Sequence, residues 1–266
     1  MFKVNACAFA AIVLASALPQ RADASAQLIV DGRNVAYQVS VSDTGGSLNP
    51  TGSMTPANPQ DMFAGAAISN TVTTSAESAS ASGLASQTSG FVSNGRGGTA
   101  FTFDSFLATG RSIGEARGQV SGDSASGSAE TLASLDFSID APHDYSITGT
   151  LSEDGQSVGG SASASSEAVV ELLRFSSGNP IVAGVSGSGP VALGGLLEPG
   201  TYRLVFRATS DANVTGDGSA TSNTSFQNMS FDLTEVPEPA TGMLLLAGAV
   251  LVLRRNQRVG SEFSRS

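Results

Sequence analysis

Cysteine is almost missing from this chain of 266 residues: the only one is Cys7, beside no tryptophan, one lysine (Lys3) and one histidine (His143). Each shortage excludes something. With Cys7 in a leader that is removed, the remaining chain has no thiol to form a disulfide, so its core rests on burial and backbone hydrogen bonds. With one histidine and no second soft ligand, a zinc centre would need three carboxylates, which zinc disfavours. Without tryptophan, and with only Tyr37, Tyr145 and Tyr202 as tyrosines, a sugar-binding platform of exposed aromatic rings is disfavoured. From Ser25 to Val236 there are seven arginines and no lysine against 20 Asp and Glu, a net charge of −13. Such a surface repels phosphate backbones and anionic headgroups, so no nucleic-acid partner is expected.

What is present is most legible at the two ends. Met1–Lys3 is a short positive segment, and "ACAFAAIVLASAL" (Ala6–Leu18) is an apolar core too short for a membrane span. Ala22-Asp23-Ala24 is the small-x-small pattern that signal peptidase recognises, so residues 1–24 are expected to be a signal peptide cut after Ala24. "FKVNAC" lacks the box and leader length of a lipoprotein. Near the other end, "VPEPATG" is held extended, because each proline fixes φ and pushes the residue before it out of the helical region. Gly242–Leu253 then runs twelve residues without a charge. As a helix it is about 18 Å long, against a hydrocarbon core of about 30 Å. Arg254 and Arg255 follow, with Arg258 nearby, and act as a membrane stop signal. So short a span is a poor permanent anchor and a plausible temporary one.

Between the ends, period-two alternation dominates. Val35, Tyr37, Val39 and Val41 share one face, as do Leu135, Phe137 and Ile139, and Tyr202, Leu204, Phe206 and Ala208. Phe101 and Phe103 continue to Phe106 after a slip, and "SFQNMSFDLTEV" sets Phe226, Asn228, Ser230 and Asp232 against Gln227, Met229, Phe231 and Leu233. These are half-buried antiparallel strands. "EAVVELLRF" (Glu167–Phe175) is the most helix-like piece and is also compatible with strand. Ser/Ala/Gly stretches near residues 74, 121, 159 and 215 are compatible with loops or with strands packing Ala inward, and roughly half are expected to be strand. "DGRN" (Asp31–Asn34), "EDGQ" (Glu153–Gln156) and "EPGT" (Glu198–Thr201) fit tight turns, and Gly45–Gln60 a long loop. The expected fold class is all-β: one antiparallel β-sandwich, jelly-roll-like, in a secreted domain 25–235.

Catalytic chemistry has little to stand on. His143 lies next to Asp144, but no G-x-S-x-G elbow accompanies them, and "APHDYS" fits a surface turn leading into a strand. Gly95, Gly97, Ala100 and Gly187, Gly189, Ala192 match a loose dinucleotide fingerprint without a following helix. Paired carboxylates for glycoside hydrolysis leave no spacing signature in a sequence. The acidic loops holding Asp211 and Asp217 could offer oxygens to calcium but lack the spacing of an EF-hand. The expectation is a non-enzymatic body with no cofactor, no catalytic residue and no resident metal.

Pro237-Glu238-Pro239, then a short apolar helix, then Arg254-Arg255 together resemble the PEP-CTERM sorting signal of Gram-negative bacteria. The resemblance covers residues 236–258, with the motif at 237–239, the helix at 242–253 and the basic cap at 254–258. The eleven residues Asn256–Ser266 after the arginine pair are more than such tails usually carry. It implies recognition and processing at the Pro-Glu-Pro strip by an exosortase, a membrane-embedded transpeptidase, after signal peptidase has acted. It further implies transient residence in the inner membrane, delivery to the cell surface or matrix, and association with exopolysaccharide or biofilm. A secreted polysaccharide-binding module, with or without calcium, is the alternative. An ordinary single-pass anchor is opposed by the short span. A sortase signal is opposed by Glu238, which would bury a charge where that enzyme class buries a leucine.

Overall fold

The computed structural model describes residues 26–43, 45–58, 62–74, 79–92, 101–159, 161–175 and 180–236. Among these, every regular element is a strand and every pairing is antiparallel. Strands are numbered in chain order. One sheet holds β1 (Ala26–Asp31), β2 (Asn34–Asp43), β3 (Gly46–Leu48), β4 (Thr51–Met54), β7 (Thr102–Phe103), β9 (Ser124–Ile139), β11 (Ser161–Arg174), β12 (Ile181–Ser186) and β14 (Gly200–Thr215). The other holds β5 (Phe63–Thr73), β6 (Ala79–Val92), β8 (Ser105–Gly118), β10 (His143–Val158), β13 (Gly189–Leu197) and β15 (Gly218–Glu235), in the order β13-β10-β15-β8-β6-β5. From β8 to β11 the chain changes sheet at every turn. The last two strands then insert, β14 between β9 and β11 and β15 between β8 and β10.

The alternating runs place their apolar sides inward as expected, because one buried face imposes a period of two. Several local expectations give way to the sheet. "EAVVELLRF" is strand, its residues continuing β11 against β14. All four Ser/Ala/Gly stretches enter strands, β6, β9, β11 and β15. "EDGQ" lies inside β10, where Gly155 pairs with Ser222, and not at a turn. "DGRN" is a break in one edge: β1 and β2 follow each other along β9, with Asp31 opposite Leu135 and Asn34 opposite Leu132. There Arg33 turns inward to full burial and forks onto Asp31 (Nε–Oδ1 2.8 Å, Nη2–Oδ2 2.5 Å). Its guanidinium lies 5.1 Å from the centre of the Phe91 ring and donates to the Ser89 carbonyl at 3.3 Å. The segment 45–60 is not all loop: β3 and β4 pair with β2 on either side of Pro50, whose carbonyl accepts from Val39 N at 3.0 Å. In β15 a bulge between Phe226 and Met229, with Asn228 at φ 50°, breaks the simple alternation. Phe226 therefore joins Met229, Phe231 and Leu233 inside.

The interior is uneven. At one end Phe103, Phe106, Phe137, Phe206, Phe226, Phe231 and Tyr202 fill the space between the sheets, linked ring to ring at 5.4–6.1 Å among Phe137, Tyr202, Phe206, Phe226, Phe231 and Phe106. At the other end the buried apolar residues are small, chiefly Ala81, Ala116, Ala125, Ala212 and Ala220 with Val39, Val41 and Val214. Here the backbones themselves meet. A Cβ on Gly127 of β9 would overlap the Ser82 and Glu115 carbonyl oxygens of the facing sheet, and one on Gly114 would overlap the Gly127 carbonyl. A Cβ on Gly83 would stand 2.7 Å from the Ser128 oxygen. Paired sheets ordinarily stand about 10 Å apart, so this half is far thinner. Buried hydroxyls stitch it: Ser210 Oγ donates to the Ser112 carbonyl (3.0 Å) or to Thr224 Oγ1 (2.9 Å), and Thr224 donates to the Thr209 carbonyl (2.7 Å). Ser222 Oγ donates to the Ser165 carbonyl at 2.6 Å.

Two consequences are measurable by urea or thermal unfolding. Gly127→Ala forces the sheets apart and lowers stability by about 3 kcal/mol, the top of the usual overpacking range. Gly90→Ala, where a Cβ would meet only Met62 at 3.7 Å, changes stability by no more than about 0.5 kcal/mol. Equal effects at the two glycines would contradict the close approach. Ser210→Ala, which strips Ser112 and Thr224 of their shared partner, costs about 1–2 kcal/mol.

Candidate functional site

β15 is an inner strand, paired on one side to β10 and on the other to β8, and it stays paired to its last residue: Glu235 lies opposite His143. Val236 N still donates to the Pro142 carbonyl at 2.9 Å. The described residues end there, one short of Pro237. The chain enters at the same end. Ala26 opens β1 opposite Phe103, and the neighbouring Asp104 carbonyl accepts from Leu233 N at 2.9 Å. Entry and exit therefore share the aromatic end of the sandwich. That end carries Asp104, Asp140, Asp144, Glu198 and Glu235 on its turns and strand ends. From Val236 to Gly242 are six residues, which reach about 20 Å fully extended. Ala22, Ala24, Pro237, Glu238, Pro239, Arg254 and Arg255 all lie outside the described residues.

His143 is not a surface residue, as the sequence pattern suggested. It begins β10 between Leu197 of β13 and Glu235 of β15, is 1% exposed, and its Nδ1 lies 2.8 Å from the Ala141 carbonyl. "APHDYS" misled because His143 is the first inward position of a strand. "EPGT" is a turn: it joins β13 to β14, and the Tyr202 hydroxyl donates across it to the Glu198 carbonyl at 2.6 Å. Burial pushes the pKa of Tyr202 above its ordinary value. Of the loose dinucleotide patterns, Gly187, Gly189 and Ala192 lie in and after the turn between β12 and β13, with no helix following. Gly95, Gly97 and Ala100 lie outside the described residues.

A depression of about 550 Å³ lies on the outer face of the nine-stranded sheet, where the outward positions of four strands line up. Ser53 of β4 lies opposite Ala36 of β2, Ala36 opposite Glu130 of β9, and Glu130 opposite Thr209 of β14. In the next row Thr51, Gln38, Ser128 and Asp211 follow in the same order. Glu130 and Asp211 are thus diagonal neighbours on one face, a spacing of about 7–8 Å between Cα atoms. Partial shielding from water raises the pKa of Asp211. The Tyr37 ring lies against Gly52 on β4 and packs inward, where its hydroxyl accepts from Asn70 Nδ2 of the facing sheet at 3.4 Å. The lining offers hydroxyl, amide and carboxylate groups and no cation, which suits a hydrogen-bonding ligand that is neutral or positive. Thr51 and Ser53 were invisible in the sequence because β4 looked like loop; Gln38, Glu130 and Thr209 were legible only as outward positions of strands. No three Asp, Glu or His side chains come together as metal ligands among the described residues, and Asp211, in mid-strand, is apart from Asp217 in the turn after β14.

No curated protein matches the chain. Among solved structures, the enzymatically active domain of tailspike protein 4 of bacteriophage CBA120 is similar at 16% identity, over 63% of this chain and 19% of that chain, with a TM-score of 0.17. So low a score carries no argument about fold or activity. Residues 235–258 match the family described as the PEP-CTERM protein-sorting motif. The match begins at the last residue of β15 and takes in Pro237-Glu238-Pro239, the apolar run and Arg254-Arg255. The chain therefore carries a PEP-CTERM sorting motif directly behind its last strand, which marks it as an exported protein handled by an exosortase.

Proposed function

We propose that this is a non-catalytic surface or matrix protein of a Gram-negative cell. It leaves through the inner membrane on a signal peptide (1–24) and is held there briefly by the short apolar helix 242–253. An exosortase then severs it near Pro237-Glu238-Pro239 and releases it to the exterior, where it has a structural or interaction role in exopolysaccharide or biofilm. The observation that carries this reading is the sorting motif at residues 235–258. Its position supports processing next to a folded body: β15 ends at Glu235, so the strip is reached as soon as the sandwich ends. A non-catalytic body is supported by the enclosure of His143.

The test is replacement of Pro237, Glu238 and Pro239 together by alanine. The expected outcome is a full-length, membrane-held form and at least a tenfold loss of released protein, read by intact mass of both fractions. Release at the normal mass would overturn the reading.

Polysaccharide binding is the second reading, and the depression on the nine-stranded sheet is what favours it. Glu130→Gln with Asp211→Asn should abolish retention on a neutral glucan column, with or without calcium. If the unaltered protein is not retained on neutral, acidic or cationic polymers, the purely structural role stands alone. Asp211→Asn also has a stability signature. Shielding disfavours the ionised carboxylate, so its cost is present above the raised folded pKa and disappears as the pH falls below the ordinary Asp value of about 3.9. The variant therefore melts higher than the parent at neutral pH and equally with it in acid.

A further inference from the structure

The last strand is held up to the residue before the sorting strip. Thr234 lies opposite Asp144 and Glu235 opposite His143 on β10. On the other side Asp232 lies opposite Ser105, and Leu233 N donates to the Asp104 carbonyl at 2.9 Å. Val236 N is taken as well, by the Pro142 carbonyl at 2.9 Å. Burial adds to the hold. Leu233 is buried, and His143 lies in register between Glu235 and Leu197, itself 1% exposed. Peeling the end of β15 away from β10 breaks these hydrogen bonds and brings water to Leu233 and His143 together.

A peptide bond is cut when its carbonyl is open to attack and the chain beside it lies in an enzyme cleft, where extended segments bind through main-chain hydrogen bonds. Backbone already paired in a sheet meets neither condition until it opens locally. The bonds around the sorting motif differ in this respect. Val236–Pro237 begins at the last bonded residue of the body. Like Glu238–Pro239, it is a bond to a proline nitrogen, which has no N–H to be held in a cleft. Pro237–Glu238 starts one residue beyond Val236, a reach of about 4 Å. The Pro239 carbonyl is the first that belongs to a bond with an N–H and stands three residues out, a reach of about 10 Å. On the far side the uncharged run begins at Gly242. In a helix within the bilayer, all but the last few carbonyls are taken by N–H groups of the following turn.

We propose that the scissile bond lies between Pro239 and Gly242, on the membrane side of the strip, so that the mature body keeps Pro237-Glu238-Pro239 as its C-terminal stub. This rests on the exosortase reading above and adds to it which bond is cut: Pro239–Ala240, Ala240–Thr241 or Thr241–Gly242. The enzyme's nucleophile adds to the carbonyl carbon, the C–N bond breaks, and the amine of the following residue leaves with a proton. The acyl group passes to water, which leaves a free carboxylate on the released body and restores the nucleophile. β15 stays closed throughout. Neither Pro237 nor Pro239 has an N–H to extend a ladder, so the strip ends the sheet and spaces the cut from it.

The released protein is digested and its C-terminal peptide is sequenced by mass spectrometry. The expected last residue is Pro239, Ala240 or Thr241. A second measurement tests the closed strand. Asp144→Cys with Thr234→Cys, at facing exposed positions, staples the end of β15 to β10. Once the leader is gone the body has no other thiol, so the bridge is read as the loss of both, and a melting temperature at or above the parent's shows that the body is folded. Cleavage that needed opening would track the open population. The bridged protein is expected to be cut at the same bond and to within about twofold of the parent's extent. A last residue at or before Glu238, or a fall of about tenfold or more in the bridged protein, overturns the proposal and leaves the sorting reading standing. A parent that is never cut, with the same mass in the membrane as the variant lacking Pro237, Glu238 and Pro239, overturns both.

Discussion

The closeness of the two sheets over Gly83, Gly114 and Gly127 governs most of what this chain can contain. Where one backbone faces another, side chains larger than alanine have no room, so the thin half is built from Ala, Ser and Gly with a few valines at its border. Such residues bury little apolar area each, and transfer of apolar surface cannot by itself hold this half together. The long ladders and the buried hydroxyls make up the difference. Ser112, Ser210, Ser222 and Thr224 are fully buried. Each can stay there only because a carbonyl or another hydroxyl of the opposite or adjacent strand lies within 3.0 Å. The phenylalanines at the other end supply the apolar burial that the thin half lacks. The absence of disulfides is then no weakness, since the strands are 14–18 residues long in β8, β9, β10, β11, β14 and β15, each paired along one edge throughout and along the other for all or part of its length.

This division explains what could and could not be seen in the sequence. The aromatic half was legible: Leu135, Phe137 and Ile139, or Tyr202, Leu204 and Phe206, contrast strongly with their neighbours, and all are inside. The thin half was not, because Ser and Ala differ too little for alternation to show, and serine occupies inward positions as well as outward ones. Turn signals failed for a related reason. Glycine is read as a sign of positive φ, yet Gly155 lies in mid-strand, paired with Ser222 on one edge. At Gly114 and Gly127 glycine serves space and not conformation, since a Cβ there would overlap a carbonyl of the facing sheet. Bulges are equally silent: nothing in "SFQNMSF" announces that Asn228 steps out and restores Phe226 to the core. The tail was legible because its signal is a covalent order of proline strip, apolar run and arginines, which needs no fold to be recognised.

Placing the sorting strip immediately after an inner strand has a mechanical consequence. β15 cannot leave its sheet without breaking both its ladders, with β10 and with β8, so the folded body ends abruptly at Glu235 and Val236. Whatever grips Pro237 must approach the aromatic end itself, between the turn at Asp140–Pro142 and the segment around Asp104.

Solubility of such a molecule comes mainly from its faces, since the short and outermost strands β3, β4, β5, β7, β12 and β13 carry no charge. Serine and threonine cover much of both outer faces, and the excess of carboxylates over arginines is spread among the inner strands. An inner strand tolerates an outward charge at little cost, since its backbone groups are already paired and the side chain projects into water. An edge strand gains protection from a charge that an inner strand does not need. Glu153 and Asp154 on β10 and Glu167 on β11 stand where only one side of the strand is paired, so carboxylates take the guarding part that lysine, absent from the body, plays elsewhere.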